Sequence, residues 1–211
     1  MPTIIIDGTG ESDDAEYARS MQHSFCSQIA RQIPAGAGRY LRGPTLLGSE
    51  TSRIADAALD ALAGCGDDGP VRLVGYSRGA CASLLTAQRL RERGVRVESV
   101  FLFDAVDMQL SDAAMVQIMP DNIDYVAHAR TARDVVFWIE NPIKSRWYFY
   151  NTGRWLAGDG VREEASFTGS HGAAGGVPWP DVDGDAECAR AVAEWMNQRL
   201  EKRGIAARLT A

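Results

Sequence analysis

No run in the chain reaches the roughly 18 consecutive apolar residues that a membrane-crossing helix needs, so none is expected. The opening "MPTIIIDGTG" lacks a basic stretch followed by a long apolar one, so no secretory signal is expected either. Cationic residues are the minority: 22 Lys and Arg stand against 28 Asp and Glu, for a net charge of −6. A protein that grips phosphates normally carries a basic stripe, so nucleic acid is not an expected partner. Cysteines are few and scattered (Cys26, Cys65, Cys81 and Cys188), with no CxxC pair. That spacing excludes both a zinc site and a small disulfide scaffold. A reducing cytoplasm is the expected location, with export by a route that leaves no cleaved signal left open. No GxGxxG follows the first hydrophobic run, and no His/Asp/Glu cluster has metal-ligand spacing, so neither a metal nor any other cofactor is expected. Histidine is scarce: the chain has three. No repeat or low-complexity tract is present.

What is present alternates short apolar runs with helical patterns. This order predicts an α/β domain with a mostly parallel sheet. Joined with the serine corner at Ser77, it makes the expected fold three-layered and α/β-hydrolase-like, with helices on both faces of the sheet, compact without a large cap. The 211 residues are expected to form one domain, 1–211. Strands are expected at 3–7, 38–43, 71–75, 95–106 and 122–132. Helices are expected at 12–33 with Ser12 as N-cap, and at 49–64, 77–93, 111–119 and 183–202. The aromatic-rich stretch 135–168 resists assignment.

The chemistry concentrates in "VRLVGYSRGACASLL", residues 71–85. A buried strand stops at Gly75, Ser77 follows between two bulky residues, and Gly79 and small residues open a helix. A sharp strand-to-helix corner at Ser77 lifts its hydroxyl above the sheet. Gly75 and Gly79 are expected there because neighbouring backbone leaves no room for a side chain. The backbone N–H of Arg78, in the first turn, is one expected oxyanion donor. The end of the first strand, "IIIDGTG", offers the second, from Gly8 or Thr9. The same Asp-Gly-Thr also ends the first strand of phosphatases with an Asp-x-Asp-Gly-Thr nucleophile loop, but the nucleophile's position is Ile5 here, which removes that chemistry.

A nucleophilic serine needs a base, and the base needs a carboxylate. His23 falls within the first predicted helix and reads as a surface or packing residue. His128 falls mid-strand and reads as a core histidine. His171, in the loop "FTGSHGAAGG", is the expected base. Asp104, ending the strand "VFLFD", and Asp134, after the next strand, compete for the acid, with Asp107 behind them. The order Ser, acid, His suits an α/β-hydrolase. The Arg78 side chain has two readings, a structural pair with Asp7 or another edge acid, or an anchor for an anionic substrate group.

The islands "IIIDGTG", "GYSRGACAS", "FLFDAV", "AHARTARD" and "FTGSHGAAGG" resemble, over roughly residues 3–176, the uncharacterised α/β-hydrolase domain family that includes type VI secretion phospholipase effectors. That family typically shows an Asp-Gly-Thr strand end, a Gly-Phe-Ser-Arg-Gly-Ala elbow and a Gly-x-His-x-x-x-Gly-Gly loop. The resemblance implies Ser77 as nucleophile, His171 as base and Asp104 as acid, with Asp134 at the place of the family's later Asp-Glu pair. Ala105 stands where the family has Thr, and Ala173-Ala174 where it has Asp-Val.

The expectation is a serine hydrolase that cleaves an ester or thioester through an acyl-Ser77 intermediate. Its expected partner is a small-molecule ester, thioester or lipid. Two other readings stand beside it: a phospholipase-type effector hydrolase, and a hydrolase-like domain that binds an acyl ligand or protein without turnover. Residues 135–160 hold seven of the seventeen aromatics. With few rotatable bonds and large apolar area they suit an acyl pocket, which is expected to include Tyr76, Trp138 and Trp155. The other reading makes the segment a core strand. Membrane contact through Lys144, Arg146 and Arg154 is left open, and the acidic whole does not favour it.

Overall fold

The computed structural model describes residues 1–46, 48–65, 69–141 and 144–211. In chain order these form β1 (Thr3–Ile6), α1 (Asp14–Ser20), α2 (Phe25–Gln32), β2 (Gly38–Leu41), α3 (Thr51–Ala63), β3 (Val71–Tyr76), α4 (Arg78–Glu92) and β4 (Val97–Phe103). There follow α5 (Leu110–Met115), β5 (Tyr125–Thr131), α6 (Val135–Glu140), β6 (Val161–Phe167), α7 (His171–Ala174) and α8 (Asp185–Lys202). The six strands make one parallel sheet in the order β6-β5-β4-β3-β1-β2.

The side-chain period of two explains the three layers. Ile4, Ile6, Leu73, Val100 and Leu102 face one side, against α3 and α4. Ile5, Val74, Phe101 and Phe103 face the other, against α2 and α8. In α8, Val192, Met196 and Leu200 are fully buried at helical spacing. Among the described residues no helix is long and apolar enough to cross a membrane.

The strand order places the site. The chain moves outward from β1 to β2, then returns past β1 to β3 and continues the other way. The carboxyl ends of β1 and β3 therefore flank a switch point, where open α/β sheets form their crevice. Asp7-Gly8-Thr9 leaves β1 there and Ser77 leaves β3.

Several boundaries differ from the sequence reading. The expected helix 12–33 is two helices. Asp13, not Ser12, caps α1, accepting from the N–H groups of Ala15 and Glu16 at 2.9 and 3.0 Å. The break at 21–24 frees Ser24 to cap α2 through the Ser27 N–H at 3.0 Å and to donate its hydroxyl to Asp7. His23 lies exposed in that break rather than inside a helix. The strand β6, "VREEASF", was not legible because it is a charged edge strand with only Val and Phe as large apolar residues. The aromatic stretch is not one core strand: it contributes α6, a 3-10 turn at Arg146–Tyr148 and two-residue strands at Tyr150–Asn151 and Trp155–Leu156. The first of these pairs antiparallel with Val106–Asp107 and the second parallel with Ile118–Met119. The first pairing binds the stretch just past the carboxyl end of β4, and the second packs Leu156 with Met119 into the core on the α3 and α4 side of the sheet. Pro142 and Ile143 of this stretch lie outside the described residues.

Candidate active site

Ser77 sits on the corner between β3 and α4 at φ 56°, ψ −126°. Asp104, just past β4, has φ 46°, and among the described residues these two alone combine a side chain with positive φ. Backbone in that region costs a non-glycine residue on the order of 1–3 kcal/mol and persists where the surroundings over-determine it. Here the Ser77 N–H is fixed to the Phe103 carbonyl at 2.9 Å, and the Ser77 carbonyl accepts from Ala80 at 3.1 Å and Val106 at 3.3 Å. The flanking glycines answer to close backbone. A Cβ on Gly79 would stand 2.1 Å from the Asp7 carbonyl oxygen, and one on Gly75 would stand 2.4 Å from the Ala80 Cα.

The Ser77 hydroxyl lies 2.8 Å from Nε2 of His171, whose Nδ1 lies 2.7 Å from Oδ2 of Asp104. Because Nδ1 faces a carboxylate, it carries the ring proton and Nε2 accepts from the serine. Asp104 is fully buried. Its Oδ2 also accepts from the Thr131 hydroxyl at 2.6 Å, and its Oδ1 accepts from the Thr131 N–H at 3.0 Å and from the Arg146 guanidinium. Burial first, and then the Arg146 charge, push the His171 pKa down to about 3. The imidazole therefore rests neutral and able to take a proton.

Such a serine, histidine and aspartate line marks a hydrolase-type site, and the chain itself supplies the family. The family model described as Thioesterase domain matches residues 14–132. This chain belongs to the thioesterase domain family. The matched stretch contains Ser77 and Asp104 and ends before His171. No curated protein matches the chain. Among solved structures, it is similar to the NocB thioesterase domain in covalent complex with a fluorophosphonate nocardicin G analog: 13% identity, TM-score 0.49, covering 95% of each chain. It is also similar to the Vlm2 thioesterase domain bound with a dodecadepsipeptide, at 13% identity and TM-score 0.47, covering 98% of this chain and 93% of that one. The SrfTE thioesterase domain, from the study of surfactin cyclization, gives 14% identity and TM-score 0.40, covering 81% of this chain and 83% of that one.

Within this thioesterase domain the three candidate acids separate cleanly. Asp134 is exposed and caps α6, accepting from the Phe137 N–H at 3.0 Å. Asp107 is buried 3.4 Å from the Arg78 guanidinium. Asp104 alone of the three faces the imidazole. The oxyanion donors also sort by geometry. The Gly8 N–H is already given to Asp7 Oδ1 at 2.8 Å, which corrects its expected role. Thr9 keeps a buried hydroxyl with no hydrogen-bond partner among the described residues. On the other side, the N–H groups of Arg78 and Gly79, which open α4, have no intrahelical acceptor.

The Arg78 side chain is turned into the protein. It is buried, pairs with Asp107 rather than Asp7, and donates to the carbonyls of Thr45 (3.0 Å) and Gly48. His128 is a core histidine: Nε2 accepts from the Ala105 N–H at 3.1 Å, and burial holds its pKa well below the ordinary value. Tyr76 is 5% exposed, with its ring 5.4 Å from that of His171 and its hydroxyl donating to the His171 carbonyl at 3.2 Å. It supports the base from within rather than walling an open pocket. Trp138 and Trp155 are 40% and 52% exposed, the first against Trp147 and the second under Arg154. The aromatic ring of this segment that meets the imidazole is Phe149, at 4.9 Å. Among the described residues no three His, Cys, Asp or Glu side chains group to hold a metal ion.

Three supports escaped the sequence reading. Thr131 and Arg146 both grip Asp104. Asp185, buried at the start of α8, accepts from the N–H and hydroxyl of Ser170 at 2.7 and 2.6 Å and from the Trp179 N–H at 2.7 Å. Ser170 in turn caps the short helix that begins with His171. Only the Ser-His dipeptide in a glycine-rich loop hinted at this, since an N-cap serine is a recognisable start signal.

Proposed function

We propose that residues 1–211 form one serine hydrolase unit that cleaves an acyl thioester or oxygen ester through an acyl-Ser77 intermediate, with His171 as general base and acid and Asp104 as its orienting carboxylate. One observation carries the reading: the unbroken line from the Ser77 hydroxyl to His171 to Asp104, at 2.8 and 2.7 Å, with a neutral imidazole.

The steps follow from the geometry. Ser77 Oγ attacks the acyl carbon as its proton passes to Nε2 of His171. The carbonyl oxygen becomes an oxyanion, met by the Arg78 N–H and by the backbone or hydroxyl of Thr9. When the tetrahedral species collapses, the C–S or C–O bond breaks and the leaving thiol or alcohol takes the proton from Nε2. Water then attacks the acyl-serine, giving its proton to the same nitrogen, and Ser77 leaves with that proton as the acid is released. Asp104 stays ionised throughout and stabilises the imidazolium that forms twice in each turnover.

Membership in the thioesterase domain family favours a thioester, and the substrate's acyl part is set by experiment. Acyl thioesters, p-nitrophenyl esters of rising chain length and a phospholipid should be compared, with fluorophosphonate labelling read by intact mass. The expected result is one adduct, on Ser77, abolished in Ser77→Ala together with on the order of 10⁴-fold or more of the turnover. An adduct on another residue, or normal turnover by Ser77→Ala, overturns the proposal. Preference for the phospholipid over every soluble ester would move the assignment to a lipid hydrolase. The four free thiols, three of them buried, accord with a reducing cytoplasm as the place of action.

A further inference from the structure

Among the described residues Arg78 and Arg146 are the largest fully buried side chains, and Arg146 belongs to the aromatic stretch rather than to the sheet. Its guanidinium makes an ion pair with Asp104 Oδ1, donates to the Ala105 carbonyl at 3.0 Å, and reaches Asn151 Oδ1 from Nε and Nη2 at 3.1 and 2.9 Å. Both side chains of the ion pair have no exposure at all. The same short stretch holds the base in two further ways. The Lys144 carbonyl accepts from the His171 N–H at 2.9 Å, and the Phe149 ring lies against the imidazole.

We propose that Arg146 is a positioning residue for the acyl transfer proposed above: its guanidinium fixes the Asp104 carboxylate against His171 and balances the buried negative charge, so that the acid–base pair begins each turnover electrically neutral. The proposal rests on the Ser77–His171–Asp104 reading and adds to it.

The charge count gives the chemical consequence. A triad carboxylate buried alone would leave one net negative charge beside the imidazole and would favour the imidazolium. With Arg146 in place, protonating His171 leaves one net positive charge in the same dry space. That charge is balanced only when the oxyanion forms beside Ser77. The arrangement thus disfavours a protonated base in the resting enzyme and matches the charge pattern of the transition state. It also makes His171 a strong acid toward the leaving group.

The surrounding groups do not cancel this. His128 on β5 is buried and neutral. Glu164 on β6 pairs with Arg130 at 3.2 Å and with Arg162, lies 3.6 Å from the neutral His128, and acts on Arg146 only to favour its charged form. Asp185 on α8 is bound to Ser170 and Trp179, and Asp7 after β1 to Gly8, Ser24 and Tyr40. Lys144 turns its ammonium outward to Asp181 at 2.6 Å. The charge nearest the Asp104–His171 pair is that of Arg146.

The test is the pH profile of kcat/KM for the full chain and for Arg146→Met and Arg146→Lys, with folded active sites counted by fluorophosphonate and melting followed in parallel. The wild-type acidic limb is expected well below the ordinary imidazole value of about 6.5. Arg146→Met removes the cation and should move that limb up by about one pH unit or more, a loss of roughly tenfold per unit at acidic pH relative to its own plateau. Arg146→Lys keeps the charge and loses the fork to Asn151 and Ala105, so it should melt lower with its limb close to wild type. A merely structural arginine would lower melting in both variants and move the limb in neither, which overturns the proposal. A limb shifted equally by Lys and Met also overturns it, because charge would not be the agent. If Arg146→Met does not fold, the wild-type limb decides, and a value at or above about 6.5 refutes the inference. Persistence of labelling and turnover in Ser77→Ala would instead show that the underlying triad reading had failed.

Discussion

Replacing Asp104 with Asn tests the acid assignment, and the structure fixes how the amide must sit. Oδ1 of Asp104 receives the Thr131 N–H and the Arg146 guanidinium, both donors. The amide oxygen of an asparagine has to take that place, because an NH₂ there would face two donors. The NH₂ then falls where Oδ2 was, pointing at the Thr131 hydroxyl, which can accept, and at Nδ1 of His171. To accept from it, Nδ1 must lose its proton, so Nε2 carries the proton and faces Ser77. That is the wrong tautomer for a base. The same substitution in a serine protease triad costs on the order of 10⁴ in kcat, which is about 5 kcal/mol of barrier. Stability falls as well, since Arg146 is left buried without its carboxylate. Breaking a buried pair costs about 3–5 kcal/mol, and at this chain length each kcal/mol lowers Tm by roughly 2–4 °C. Asp104→Asn should therefore melt on the order of 10 °C lower and, where still folded, turn over roughly 10⁴-fold more slowly. Asp134→Asn is the control. Asparagine caps a helix as well as aspartate does, so activity and Tm should stay near wild type. The assay is kcat for the preferred thioester or ester, normalised to titrated active sites, with melting followed by circular dichroism. If Asp134→Asn is the crippled variant and Asp104→Asn stays within tenfold of wild type, the argument from the hydrogen-bond pattern is wrong.

Arg78→Lys should lower Tm by several degrees and leave KM for anionic and neutral substrates alike, because the fork it loses holds Asp107 and the carbonyls of Thr45 and Gly48. A rise in KM confined to anionic substrates would restore the anchor reading. Asp7 gives a pH effect of unusual sign. Burial raises its pKa from 3.8 to about 6 against the hydrogen bonds from Ser24, Gly8 and Tyr40. The folded protein therefore holds that proton more tightly than the unfolded chain, and stability falls as pH rises through the window from about 4 to about 6, by at most about 3 kcal/mol. Asp7→Asn should remove this fall, so its Tm advantage over wild type should grow across that window in pH-dependent melting. A difference that stays constant with pH would refute the buried, raised carboxyl.

Much of the site was legible because the residues that bear chemistry also bear strong local constraints. Ser77 stood between Gly75 and Gly79 at the end of an apolar run, and a strand-to-helix corner needs that spacing wherever backbone approaches within a Cβ radius. Asp104 and Asp134 ended successive strands, so topology put both on the right edge, and no pattern in the sequence could choose between them. The choice depends on Asp104 being held by the N–H and hydroxyl of Thr131, at the end of the neighbouring strand, while Asp134 opens an exposed helix. The core strands were legible because both faces are buried and they read as continuous apolar runs. Strand β6 was not, since an edge strand carrying Arg162, Glu163 and Glu164 looks like solvent-exposed loop.

Arg146 was the hardest residue to foresee, and the reason is physical. Periodicity reports where apolar surface is buried, and glycine and proline report where the backbone turns. Neither reports a cation that enters the interior from an irregular segment to meet a charge on a distant strand end. Asp185 has the same character: it opens a surface-type helix in sequence yet holds the loop that carries His171. Each of these residues pays its desolvation through partners fixed by the tertiary fold: Asp104, Asn151 and the Ala105 carbonyl for Arg146, and Ser170 and the Trp179 N–H for Asp185. The proposed nucleophile and base can therefore be picked out along the chain, while the groups placed to set their orientation and charge become visible only when the sheet edge is assembled. Activity in this fold should accordingly be sensitive to substitutions at Arg146, Thr131 and Asp185, none of which lies in a recognisable motif.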